Sequence, residues 1–174
     1  MIAANGLWLA LGLLPQPRAD SVVIDFDARV PMRDGATLAA DVYRSSAPGR
    51  YPVVLTRTPY NKTGAALLKE ARAFVARGFI YVAIDVRGRG DSEGEWRPYR
   101  DEGDDGYDAI EWCAAQPWST GRIGTIGRSY AGYNQWLAAV RRPPHFAAMI
   151  ALAPMADPFN GSSQRRAPRI PTSW

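Results

Sequence analysis

The sequence predicts an α/β fold: a mostly parallel sheet, begun by an antiparallel hairpin, with helices on both faces. Three observations predict it. Two short segments of period-two hydrophobicity flank a turn signal near the start. After residue 50, short apolar runs alternate with stretches of helical periodicity, the pattern of parallel strands joined by crossover helices. One of those runs, "FIYVAID", is apolar up to its last residue, as a strand covered on both faces requires.

Taken in order, Ile24, Phe26, Ala28 and Val30 alternate with Asp25, Asp27 and Arg29, the signature of a half-buried strand. Arg33-Asp34-Gly35 is a turn signal, and Leu38, Ala40 and Val42 alternate again, which completes the hairpin. "SSAPGRYP" is a loop, and "PVVLTR" is a short continuous strand. "ALLKEARAFVARG" places Leu67, Leu68, Ala71, Phe74 and Val75 on one helical face, with Gly78 able to close the helix. "FIYVAID" follows as a strand, then a glycine-rich loop, "VRGRGDSEGEW". Asp104 to Gln116 reads as a helix, "RIGTIG" as a strand, "YAGYNQWLAAVRR" as a helix and "AAMIALAP" as a strand.

Composition narrows the function classes. The 174 residues, 47% of them hydrophobic, suit one domain. The net charge is +4, but residues 160–174 hold three arginines and no acid, so the basicity is mostly a property of that irregular tail. Nucleic-acid binding would need a basic patch on the folded body, and it is not expected here. A single cysteine, Cys113, excludes an intrachain disulfide and any multi-cysteine metal site, and its amphipathic helical setting reads as a buried structural thiol. The apolar run Leu7–Leu14 is too short to span a membrane, so no membrane partner is expected. Residues 1–19 read as a signal peptide or a disordered start: the run has signal-peptide length, yet no Lys or Arg precedes Arg18 and Pro17-Arg18-Ala19 is a poor cleavage site. Cytoplasmic and exported locations both stay open.

The chemistry concentrates in "TIGRSYAGYNQ". Ser129 sits between a strand and a helix, with Gly127 before it and Ala131 and Gly132 after it. A turn that tight needs small neighbours, and it lifts the serine oxygen above the sheet at the N-terminus of the next helix, where developing negative charge is favoured. This is the nucleophile elbow of the α/β-hydrolase fold. In the simplest elbow the fifth residue is glycine, and here it is Ala131.

At this point the sequence resembles a family, the cocaine esterase and Xaa-Pro dipeptidyl-peptidase-like hydrolases. "GRSYAG" resembles its G-x-S-Y-x-G elbow, in which Gly132 takes the closing position. "VPMRDGATLAADVYRS", "PVVLTRTPYNK", "GFIYVAIDVRGRGDSEGEW" and "DDGYDAIEWCAAQPWSTGRIGTIG" resemble its other blocks in order, and together they cover about Phe26 to Phe159. The resemblance implies Ser129 as nucleophile, with the Tyr60 hydroxyl of "TPYNK" and the backbone N–H of Tyr130 as the oxyanion hole. It implies a small ester, an amide or a short peptide as substrate, including amino-acid esters and Xaa-Pro peptides, and no cofactor or metal. On this reading residues 20–159 are the N-terminal part of a hydrolase domain.

The base is the gap. The only histidine, His145, follows the helix that leads away from the elbow, about 20 Å long at 1.5 Å per residue, which places it at the far edge of the sheet. A base must reach within about 3 Å of the nucleophile, so His145 is not expected to serve. In this fold the acid and histidine follow the serine in that order. Asp157 lies on the right side of the last strand but reads as a loop or cap residue, since the resembling family takes its acid from further on. The sequence therefore reads as a hydrolase domain lacking its later strands, inactive by itself, with an unpaired sheet edge after "AAMIALAP". The rival reading is a non-catalytic remnant or binding module.

Other motifs read more plainly. Arg89-Gly90-Asp91 sits in a glycine-rich loop near the site rim, without the Gly-Lys-Ser/Thr of a phosphate loop. Glu102, Asp104, Asp105 and Asp108 are explained by the helix dipole, and Trp96, Trp112, Trp118 and Trp136 by packing.

Overall fold

The computed structural model describes residues 21–154. Its elements are β1 (Val22–Pro31), β2 (Thr37–Ser45), β3 (Tyr51–Thr58), α1 (Ala65–Val75), β4 (Ile80–Asp85), α2 (Glu102–Ala115), β5 (Ser119–Arg128), α3 (Tyr130–Val140) and β6 (Phe146–Leu152). The succession is the one the periodicities predict, with ends displaced by at most three residues. The signal-peptide reading of residues 1–19, Asp157 and the basic tail lie outside the described residues.

The six strands form one sheet in the order β1-β2-β4-β3-β5-β6. β1 pairs antiparallel with β2, and β2 antiparallel with β4. β4, β3, β5 and β6 run parallel. The fold is therefore the mostly parallel sheet with an antiparallel leading hairpin that the sequence predicts. One detail of the hairpin differs. The alternation puts Phe26 on one face with Ala28 and Val30, but a β-bulge sets Phe26 and Asp27 of β1 opposite Asp41 alone, and Asp27 adopts φ 52°. One extra residue resets the period-two count, so Phe26 is left 64% exposed.

The pleat divides the sheet into two cores. Val42, Val53, Leu55, Val82, Ile84 and Ile123 face α2 and α3, whose Ala109, Ile110, Cys113 and Ala138 complete a buried cluster. Tyr43, Val54, Tyr81 and Ala83 face the other way, against Ala71 and Val75 of α1. Burial of each Val, Ile or Leu contributes on the order of 1.5–3 kcal/mol. β4, buried along its whole length, shows why "FIYVAID" has no polar alternation. Cys113 is fully buried, and burial pushes its thiol pKa up, so it is an inert packing residue. Trp112 and Trp118 meet edge to face beside the larger core.

The parallel arrangement brings the ends of β3, β4 and β5 to one edge, so the loops after Thr58, Asp85 and Arg128 gather there. Open α/β sheets place their ligands at this carboxyl edge.

Candidate active site

Ser129 stands at the turn from β5 into α3, with φ 57° and ψ −120°. That conformation is costly for a residue with a side chain, on the order of 1–3 kcal/mol, and must be enforced by its surroundings. The enforcement is visible. The Ser129 N–H donates to the Leu152 carbonyl at 3.0 Å, which ties the elbow to β6, and its own carbonyl accepts from Gly132 and Tyr133 at 3.0 and 2.9 Å. A Cβ on Gly127 would lie 2.3 Å from the Ala131 carbonyl oxygen, and one on Gly132 would lie 2.9 Å from that of Leu152. These two glycines allow the strand and helix to meet at this angle. Ala131 is accommodated, buried beneath the turn.

Tyr60 reaches the same point from the β3 loop. Its hydroxyl lies 3.4 Å from the Ser129 Oγ, within hydrogen-bonding distance, while 64% of the residue is exposed. Tyr130 is the first residue of α3, so its N–H precedes the helical ladder and points out of the helix N-terminus beside Ser129. Its side chain does more than pack. The buried phenol donates to Glu102 Oε1 at 2.8 Å and accepts the Tyr99 N–H at 3.2 Å, and its ring stacks on that of Tyr99. Burial, with the Glu102 carboxylate beside it, raises the pKa of this phenol, so it stays protonated and serves as a fixed donor.

Glu102, read from the sequence as a helix-dipole acid, is instead half of a buried ion pair with Arg57, a residue with no sequence reading of its own. Both are buried, with Arg57 Nη1 3.2 Å from Glu102 Oε2 and Nη2 donating to the Glu102 carbonyl at 2.7 Å. Arg57 ends the apolar run "PVVLTR", and an arginine closing a run buried on both faces is the available hint of a buried pair. The acids at the start of α2 are likewise more than dipole partners. Asp105 pairs with the buried Arg87, Asp104 with Arg33 and Arg141, and Asp108 with Arg33. Helix-terminus electrostatics are local and visible in a sequence, whereas these cations arrive from other elements.

His145 lies at the opposite edge of the sheet. Its carbonyl accepts the Ile123 N–H and its ring Nδ1 meets Glu111 Oε2 at 2.7 Å. From Ile123 to Ser129 the strand advances six residues at about 3.3 Å each, roughly 20 Å, so His145 cannot touch the Ser129 oxygen. A cavity of about 310 Å³ opens beside the elbow on the α1 side, between Thr58, Tyr60, Leu67, Glu70, Gly127 and Arg128.

Residues 34–174 match the X-Pro dipeptidyl-peptidase (S15) family. The chain belongs to this family. S15-family proteins are hydrolases of esterase and peptidase type. A cocaine esterase of Rhodococcus sp. (strain MB1 Bresler) is 43% identical over 115 residues, 64% of this chain and 20% of that protein. A CocE/NonD family hydrolase from Staphylococcus aureus superposes with a TM-score of 0.72 at 32% identity, over 80% of this chain and 29% of that one. An α-amino acid ester hydrolase gives 0.71 at 27% identity, over 89% and 29%. This S15-family chain thus spans about a fifth of the length of the esterase and under a third of the solved hydrolases. What it shares with them is the α/β-hydrolase sheet.

Proposed function

We propose that this chain carries the nucleophile and oxyanion hole of a serine hydrolase that cleaves ester or amide bonds through an acyl-enzyme on Ser129. The observation that carries the reading is the 3.4 Å approach of the Tyr60 hydroxyl to the Ser129 Oγ at a strained elbow. Ser129 Oγ attacks the substrate carbonyl carbon and gives its proton to a base. The carbonyl oxygen becomes an oxyanion that accepts hydrogen bonds from the Tyr60 hydroxyl and the Tyr130 N–H. Collapse expels the alcohol or amine with a proton, and water then releases the acid from the serine. Small esters, amino-acid esters and Xaa-Pro peptides are the substrate classes, and no cofactor enters the scheme.

The base is not His145, which is engaged by Glu111 at the other edge, and the 174-residue chain has no second imidazole. In this reading residues 20–159 supply the first part of a hydrolase domain, and the base and its orienting acid come from polypeptide outside this chain. Alone, the chain turns over p-nitrophenyl esters no faster than its Ser129→Ala variant. In a chimera replacing the corresponding part of the Staphylococcus aureus CocE/NonD family hydrolase, it confers turnover that Ser129→Ala abolishes. A folded chimera whose activity survives that substitution would remove Ser129 from its role. Ser129-dependent turnover by the short chain at the chimera's rate would show that a base lies within it.

A further inference from the structure

The Tyr60 phenol must be held in place, yet its exposed side chain receives little support from neighbours. Its position is set by the backbone of a short turn. The Tyr60 N–H donates to Thr58 Oγ1 at 3.0 Å, and Asn61 adopts φ 78° with its side-chain oxygen accepting from Thr63. Two residues beyond the tyrosine, the chain is clamped. The Lys62 N–H donates to Asp85 Oδ1 at 2.8 Å, and the Lys62 side chain, 1% exposed, runs inward beneath the turn.

There its ammonium meets four carboxylates. Asp27 lies at 2.8 Å, Asp85 at 3.6 Å and Asp41 at 3.7 Å, and Asp91 makes a short contact from the glycine-rich loop. These come from the β1 bulge, from β2, from the end of β4 and from the loop after it. The loop is fitted closely to the cluster: the Asp91 N–H donates to Asp85 Oδ2 at 3.3 Å, and a Cβ on Gly90 would lie 2.1 Å from that oxygen. Burial opposes the charge on Lys62, but the hydrogen bonds it donates to Asp27 and Asp91 and the fields of Asp41 and Asp85 outweigh it and raise the pKa, so the ammonium is retained.

A buried ion cluster of this kind adds little net stability over an apolar replacement, because desolvation offsets the attraction. What it does supply is direction: one ammonium satisfied from four segments has one position. We propose that Lys62 is a positioning residue that fixes the turn carrying Tyr60 and so holds the Tyr60 hydroxyl over Ser129. The role rests on the reading of Tyr60 as an oxyanion donor, and the Arg89-Gly90-Asp91 loop enters it as the strap that closes over Lys62.

The test uses 3-fluorotyrosine at position 60 of the full 174-residue chain, with the same label at Tyr51 as a separate reference. Tyr51 begins β3, at the opposite end of the strand that feeds the Tyr60 turn. In Lys62→Met the fluorine resonance of Tyr60 moves toward its position in the urea-denatured chain, while that of Tyr51 does not move. Asp91→Ala removes one partner, half-exposed in side chain, and shifts the Tyr60 signal in the same direction by less. If Lys62→Met does not fold, Asp91→Ala decides alone. An unmoved Tyr60 signal, or equal movement at Tyr60 and Tyr51, overturns the proposal, the latter by showing a general structural role. Catalysis plays no part in this readout. A silent Ser129 in the chimera would remove the proposed function and leave this result standing, and the reverse also holds.

Discussion

Tyr60 and Gly127 have opposite balances of chemistry and packing, and their substitutions separate the two. Tyr60→Phe deletes one hydroxyl from a largely exposed residue whose ring can stay in place. Loss of one oxyanion donor lowers kcat by about 10²–10³. We expect that loss in the chimera, with KM and the urea midpoint near those of the parent. A normal kcat would place the phenol outside the oxyanion hole. Gly127→Ala acts through sterics instead. Its methyl would sit 2.3 Å from a backbone oxygen, so the elbow must open. Overpacking of this kind costs about 1–3 kcal/mol, to be seen as a lower urea midpoint in the 174-residue chain itself. Gly127 and Ser129 were legible in the sequence because an elbow is local. The pairing of Glu102 with Arg57 was not, because contact between residues 45 positions apart leaves no periodic trace.

At the scale of elements, α2 is held to the sheet by charge as well as by its apolar stripe. Glu102 sits in its first turn, and the elbow's Tyr130 and the strand's Arg57 both close on it. Burial raises the Glu102 pKa, with Arg57 and Tyr130 opposing. The folded state therefore keeps this proton to higher pH than the unfolded chain, whose carboxyl titrates near 4.3. Its contribution to stability is fully present below that value and is lost as pH rises through the raised folded value. Glu102→Gln cannot titrate. The difference between the urea midpoints of parent and variant should thus change with pH from about 4 upward, the parent losing ground as pH rises. A constant difference from pH 4 to about 7 would mean that the folded state does not raise the Glu102 pKa. The sequence reading starts this helix at Asp104, two residues after its first residue, Glu102.

For the whole molecule, the two ends of the sheet behave differently. β1 is an edge strand, but its Asp25, Asp27 and Arg29 and its bulge discourage pairing with another chain. β6 is the other edge, and among the described residues it pairs only with β5. Ile150 and Leu152 on it are 52% and 49% exposed. Ile150 stands beside Ile126, on the face that α1 covers elsewhere. An apolar, unpaired edge is a template for association. The 174-residue chain should therefore show a mass in light scattering that rises with concentration, and Ile150→Lys should suppress the rise. A strictly monomeric parent at high concentration would show that this edge is protected.

By itself the sequence determined the class of fold, the order of its elements and the serine turn, because each rests on contacts between residues a few positions apart: period two in strands, period 3.6 in helices and small residues flanking a tight turn. The hairpin, the wholly buried β4 and the Gly127–Gly132 elbow are all of that kind. The tertiary structure decided what depends on residues distant in the chain. It set β4 between β2 and β3, turned Phe26 outward through a one-residue bulge, and brought Tyr60 to Ser129 across 69 positions. It also placed Glu102, Arg57 and Lys62 in pairs that no spacing announces. Burying a charge is tolerable only when its partner arrives, and the partner's arrival is a property of the folded sheet.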